Sequence, residues 1–129
     1  MLPKIAFIDD EKSILESLKF IFKNEPYKFY SFDNPFEALE KIKAKEFALV
    51  IVDLVMPDIK GTEIINQIKK EKPWTECMIM TANPYLVERA YSDKKIIVKP
   101  WNIFELREVV RQAVQFYEER NMIRREYSC

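Results

Sequence analysis

Five polar side chains stand where they could do chemistry together: adjacent Asp9 and Asp10, then Asp53, Thr81 and Lys99. Each follows a short apolar run. Asp9 and Asp10 close "IAFIDD", Asp53 closes "FALVIVD", Thr81 follows "CMIM" and Lys99 follows "IIV". Asp is a poor strand residue, and two side by side repel each other. Three carboxylates gathered in one pocket cannot all ionise unaided, so either some stay protonated or a cation joins them. An all-oxygen donor set suits a hard divalent ion that keeps several waters, such as Mg²⁺. Beside such a cation Asp53 can stay anionic and attack phosphorus, giving an aspartyl phosphate. Lys99 would neutralise the charge on the transferred group, and Thr81 would donate a hydrogen bond to one of its oxygens.

Each residue also has a plainer role. Asp9 and Asp10 would cap a helix, Asp53 would cap a strand end, Lys99 would be solvated, and Thr81 would be a half-buried strand hydroxyl. What favours the site is position. All five must be placed by elements whose ends converge.

Those elements alternate along the chain. Lys4–Ile8 reads as a first strand, and Ile14, Leu15, Leu18, Ile21 and Phe22 give residues 11–24 one apolar helical face. Lys28–Phe32 is a mixed run suited to an edge strand. "DNPFEALEKIKAK" starts a helix, with Asn34 as N-cap and Pro35 in the first turn. The unbroken apolar run of "FALVIVD" predicts a strand covered on both faces. A helix over 62–72, a strand at "CMIMTA", a short helix from Pro84 to about Tyr91 capped by Asn83, a strand at "IIVKP" and a long last helix capped by Asn102 complete the pattern. Met78 and Met80 read as strand packing, Trp101 as an aromatic at the core edge, and Gly61, the only glycine, as a positive-φ hinge. Strict alternation predicts an α/β fold: a doubly wound, flavodoxin-like parallel sheet of five strands in order 2-1-3-4-5, with helices on both faces. Parallel strands place their carboxyl ends on one edge. Ligands bind there where the order reverses, between the first and third strands, which carry the three aspartates.

Composition narrows the classes. The 129 residues suit one domain, and 21 basic residues balance 21 acidic ones. A neutral chain carries no global signal for nucleic acid or an anionic membrane. No run is long and apolar enough for a membrane span, and the N-terminus does not read as a signal peptide. Cys77 reads as a small buried residue and Cys129 as part of a frayed end, so the pair fits a reducing cytoplasm. With no histidine in the chain, acid–base work falls to Asp, Glu, Lys or Tyr.

At "IDDE" (8–11), "VDLVMPDIKG" (52–61), "TA" (81–82) and "KP" (99–100) the chain resembles response-regulator receiver domains over roughly residues 3–118. The resemblance implies that Asp53 accepts a phosphoryl group from a histidine kinase or phosphotransfer protein. It implies Mg²⁺ held directly by Asp10 and Asp53, through water by Asp9, and by the backbone carbonyl of Val55 in a loop that Pro57 helps to fix. It also implies a cis Lys99–Pro100 bond, and Val55 and Asn83 as positions that tune phosphate lifetime, here to neither extreme.

Two features depart from that family. The position three before the lysine, commonly aromatic, is Ile96, so a switch must run through the backbone and Thr81. The segment from Thr81 to Lys99 is short, with "YSDKK" before the last strand, and predicts a shortened or irregular fourth helix.

The receiver reading covers residues 1–120, leaving 121–129 as a helical extension. With Phe116, Met122, Ile123 and Tyr127 scattered along it, that end reads as a solvated tail, a homodimer contact, or the start of a linker to an output domain. No helix-turn-helix or basic recognition helix is visible, so direct nucleic acid binding by this chain is not expected. Two other functions compete: an adaptor that keeps the fold but works unphosphorylated, and a Mg²⁺ phosphohydrolase with an aspartyl nucleophile. The second wants an acid two residues past Asp53, where Val55 stands, and a cap insertion that the chain lacks. The chain therefore reads as a phosphorylation switch rather than an enzyme.

Overall fold

The predicted alternation appears as β1 (Lys4–Ile8), α1 (Lys12–Ile21), β2 (Lys28–Phe32), α2 (Pro35–Ala44), β3 (Leu49–Asp53), α3 (Gly61–Glu71), β4 (Glu76–Thr81), β5 (Ile96–Val98) and α4 (Ile103–Tyr127). The computed structural model describes residues 1–87 and 96–127. The sheet is parallel throughout and ordered β2-β1-β3-β4-β5. Edge strand β2 is mixed in burial, whereas every residue of central β3 is buried.

Side chains alternate across the sheet and so build two cores. Ile5, Phe7, Leu49, Ile51, Met78, Met80 and Ile97 face α1 and α4. Ala6, Ile8, Val50, Val52, Cys77 and Ile79 face α2 and α3. Helix α1 buries Leu15, Leu18 and Ile21, and α4 buries Leu106, Val109, Val110, Ala113 and Tyr117. Trp101 packs partly buried against the first core.

Two caps act as the sequence predicts. The Asn34 side chain accepts from the amides of Phe36 and Glu37 at 2.9 and 3.1 Å. Asn102 accepts from the Glu105 amide at 3.1 Å. Asn83 does not cap a helix in this way. It leads into a single 3₁₀ turn, Pro84–Leu86, and its side-chain oxygen instead accepts from the Tyr85 hydroxyl at 2.9 Å. Val87, extended, ends that turn where the expected helix would continue; residues 88–91 and "YSDKK" lie outside the described residues, as does Cys129.

Gly61 corrects a second expectation, because its φ is not positive. Its constraint is proximity. Gly61 opens α3 and donates its amide to the Leu54 carbonyl at 3.0 Å. A Cβ there would overlap the Asp53 carbonyl oxygen and meet the Leu54 Cα at 3.0 Å. Backbone cannot step aside as a side-chain tip can. Gly61→Ala is therefore expected to destabilise the fold by about 2–3 kcal/mol in urea denaturation. Unchanged stability would show that the β3–α3 loop yields freely.

At the end of the sheet away from the aspartates, α4 stays docked past residue 120. The Tyr117 hydroxyl donates to Glu46 at 3.3 Å, and Arg120 pairs with Glu76 at 2.9 Å. Arg124 lies over the Trp74 ring, 4.4 Å from its centroid, and also bonds Asn121, which is buried. No helix among the described residues is long and apolar enough to cross a membrane.

Candidate functional site

The ends of β1, β3, β4 and β5 bring the five residues to one rim. Asp9 directly follows β1, Asp53 ends β3, Thr81 ends β4 and Lys99 directly follows β5. The rim is stitched by backbone: the Lys99 amide donates to the Thr81 carbonyl at 2.8 Å, and the Leu54 amide to the Met80 carbonyl at 3.1 Å. The Lys99–Pro100 bond is cis.

Asp9 is fully buried, and both its oxygens are engaged. Oδ1 accepts from the Glu11 amide at 2.9 Å, a local turn that leads into α1. Oδ2 accepts from the Lys99 ammonium at 2.8 Å. Asp9 is therefore not a helix cap, because the N-cap of α1 is Glu11 and no side chain caps it; one Asp9 oxygen closes the preceding turn and the other holds Lys99. Lys99 Nζ also lies 3.5 Å from Asp53 Oδ1. This bridge between two acids is what the sequence reading missed. The sequence brings Lys99 to the same rim as a partner for a phosphoryl group, but does not show that its ammonium joins two acids.

The electrostatics stem from that crowding. Burial pushes the Asp53 carboxyl up from 3.8 to about 6; the Asp9 charge adds to the rise, and Lys99 opposes it. For Lys99, burial disfavours the ammonium, but the bond to Asp9 and the charges of both carboxylates outweigh it and hold its pKa above the ordinary value. One ammonium does not balance three acids.

Asp9, Asp10 and Asp53 each offer an oxygen within 4.8 Å of the others. Asp10 is exposed, so the cluster opens to water on that side. A donor set of hard oxygens with open solvent positions fits a small divalent cation that retains water.

The Thr81 side chain is buried, and its hydroxyl accepts from the Asn83 amide at 3.0 Å, which leaves the hydroxyl proton for another acceptor. Val55 points its side chain to solvent, 64% exposed, from the loop after β3. Ile96 opens β5, partly buried and in register with Ile79.

A family model described as the response regulator receiver domain matches residues 5–111. The chain belongs to the response-regulator receiver family. Among curated relatives, this receiver is 27% identical over 126 residues to the response regulator ArlR of Staphylococcus saprophyticus, covering 95% of this chain and 57% of that protein. It therefore spans little more than half of the curated relatives it matches. Among solved structures, it resembles the CheY-like receiver domain protein of Methanospirillum hungatei JF-1 at 27% identity and TM-score 0.83, covering 93% of this chain and 99% of that one. It also resembles the signal receiver domain of an HD domain-containing protein from Pseudomonas fluorescens Pf-5 at 25% identity and TM-score 0.86, covering 94% and 93%. The receiver fold thus accounts for why four strand ends carry polar residues, and it makes the chain a signalling domain of two-component systems.

Proposed function

We propose that this receiver is a phosphoacceptor switch in which Asp53 takes a phosphoryl group from a histidine kinase or phosphotransfer protein. The observation that carries the reading is the placement of Asp53, mostly buried, 3.5 Å from Lys99 and within the three-carboxylate cluster. An Asp53 oxygen attacks phosphorus as the P–N bond of the donor's phosphohistidine breaks, and the imidazole leaves with a proton. The Lys99 ammonium offsets charge on the transferred group, and the Thr81 hydroxyl donates to one of its oxygens. Asp10, Asp53 and the Val55 carbonyl would hold Mg²⁺, with Asp9 acting through water. When bound, Mg²⁺ supplies charge neutralisation to the acceptor and the incoming phosphate. The chain's own chemistry is limited to assisting its phosphorylation and the later hydrolysis.

Phosphorylation then shifts a conformational equilibrium and changes partner affinity. With Ile96 where the family commonly has an aromatic residue, the shift runs through Thr81 and the backbone. The Asn83 side chain, whose oxygen accepts from the Tyr85 hydroxyl, can orient a water, while Val55 is apolar and cannot; together they favour an intermediate phosphate lifetime. Signalling would occur in the cytoplasm. Residues 1–120 form the receiver unit, and 121–129 are the segment that leads toward a homodimer contact or an output domain, with the last helix continuing through Tyr127.

Ile96 also favours a second reading, an adaptor that works unphosphorylated. One experiment separates the two. After treatment with acetyl phosphate and Mg²⁺, intact-mass spectrometry is expected to show one added phosphoryl group, absent in Asp53→Asn. An unmodified wild-type chain would leave the adaptor reading standing.

A further inference from the structure

At the amino-terminal ends of β1 and β2, away from the aspartate rim, lies an apolar groove of ≈ 1170 Å³ that the phosphoacceptor chemistry does not use. Its floor is aromatic: half-buried Tyr27 and Phe29 lie over the buried Phe22, which stacks on Phe29 at 6.3 Å. One wall is α1, where Phe20 stands 78% exposed. The α1 residues lining it are Glu16, Lys19 and Phe20, at i, i+3 and i+4 on one face of the helix, and Lys23 follows in the turn after α1.

The rim is basic. Lys4, Lys28 and Lys45 join Lys19 and Lys23, against only Glu16 and Glu46. Among the described residues, no carboxylate lies within ion-pair distance of any of the five lysines, whereas Glu46 is already paired with Lys72 at 3.6 Å. In a chain of net charge zero, this is a local excess of positive charge around an uncovered apolar floor.

We infer that this groove docks an acidic amphipathic helix of a protein partner, its apolar face on Phe20, Tyr27 and Phe29 and its carboxylates on the lysine rim. The helical face of α1 and the concave floor favour a helix over a bilayer, which meets a protruding apolar tip more readily than a recess. β1 runs five residues from Lys4 to Ile8, so roughly 16 Å of strand separates groove from rim, and the two surfaces can be engaged at once.

The test titrates the ¹⁵N-labelled chain with a synthetic helical peptide bearing Leu on one face and Glu elsewhere. A Leu/Lys peptide of the same pattern is the control. Amide shifts are expected at Phe20, Tyr27 and Phe29, with the Glu peptide bound at least about tenfold more tightly than the Lys peptide. Phe20→Ser, an exposed position that should fold normally, is expected to weaken binding about tenfold. Lys19→Glu combined with Lys23→Glu should remove the preference for acid. Absence of shifts, shifts confined to the aspartate rim, or equal affinity for both peptides would overturn the inference. So would self-association abolished by Phe20→Ser, or lysine-dependent sedimentation with phosphatidylglycerol vesicles in the absence of peptide binding.

Discussion

Lys99→Met is expected to cost the metal-free protein about 3 kcal/mol, because it strands Asp9 in the interior without its counter-charge. Asp9 is fully buried, and the lysine side chain is 13% exposed, so water compensates little for the lost 2.8 Å bond. Of the hydrogen bonds to the Asp9 carboxylate only that from the Glu11 amide would remain. The same change removes the cation nearest Asp53, so phosphorylation by acetyl phosphate should slow about 100-fold. Lys99→Arg keeps the charge but replaces a point donor by a planar fork, and should restore stability better than rate. Urea denaturation and a phosphorylation time course measure the two effects separately. A methionine variant as stable as wild type would mean that Asp9 does not depend on the ammonium.

Asp53→Asn works in the opposite direction. The folded state raises this carboxyl from 3.8 to about 6, so it binds the proton more tightly than the unfolded chain does. Stability from that preference is fully present below the unfolded value and is lost as pH rises through the folded one. Above about 6 the ionised carboxylate is a burden on the metal-free fold. The full shift corresponds to about 3 kcal/mol, and screening from the open side of the cluster reduces it to about 1–2. In EDTA near neutral pH, Asp53→Asn is therefore expected to be more stable than wild type by about 1–2 kcal/mol. The gain should fade on acidification toward the unfolded value. Added Mg²⁺ should stabilise wild type more than the variant, which has lost one donor. A variant less stable than wild type near neutrality, or a gain that ignores pH, would contradict the raised carboxyl.

The architecture was legible because each element announces itself locally. The unbroken run at residues 47–53 marks a strand buried on both faces, and "DNP" marks the start of α2 with its cap. The rim was legible because strand polarity and order turn four separate strand ends into one edge. What stayed hidden depends on which atoms the folded backbone brings together. Gly61 looked like a turn residue, but its constraint comes from the Asp53 carbonyl pressed against it. Asn83 had the sequence signature of a cap, yet Tyr85 two residues on takes its oxygen. The Arg124–Trp74 stack joins α4 to the loop before β4 and has no signature in either segment.

The Lys99 ammonium is divided between two acids, 2.8 Å from Asp9 and 3.5 Å from Asp53. A donor shared in this way makes the two carboxylates thermodynamic partners. Whatever satisfies Asp9 by another route loosens the lysine toward Asp53. By reciprocity, whatever draws the lysine to Asp53 leaves Asp9 more receptive to positive charge, by the same free energy. If a cation binds at Asp9 and a phosphoryl group forms on Asp53 as proposed, the two events would be coupled through this one ammonium.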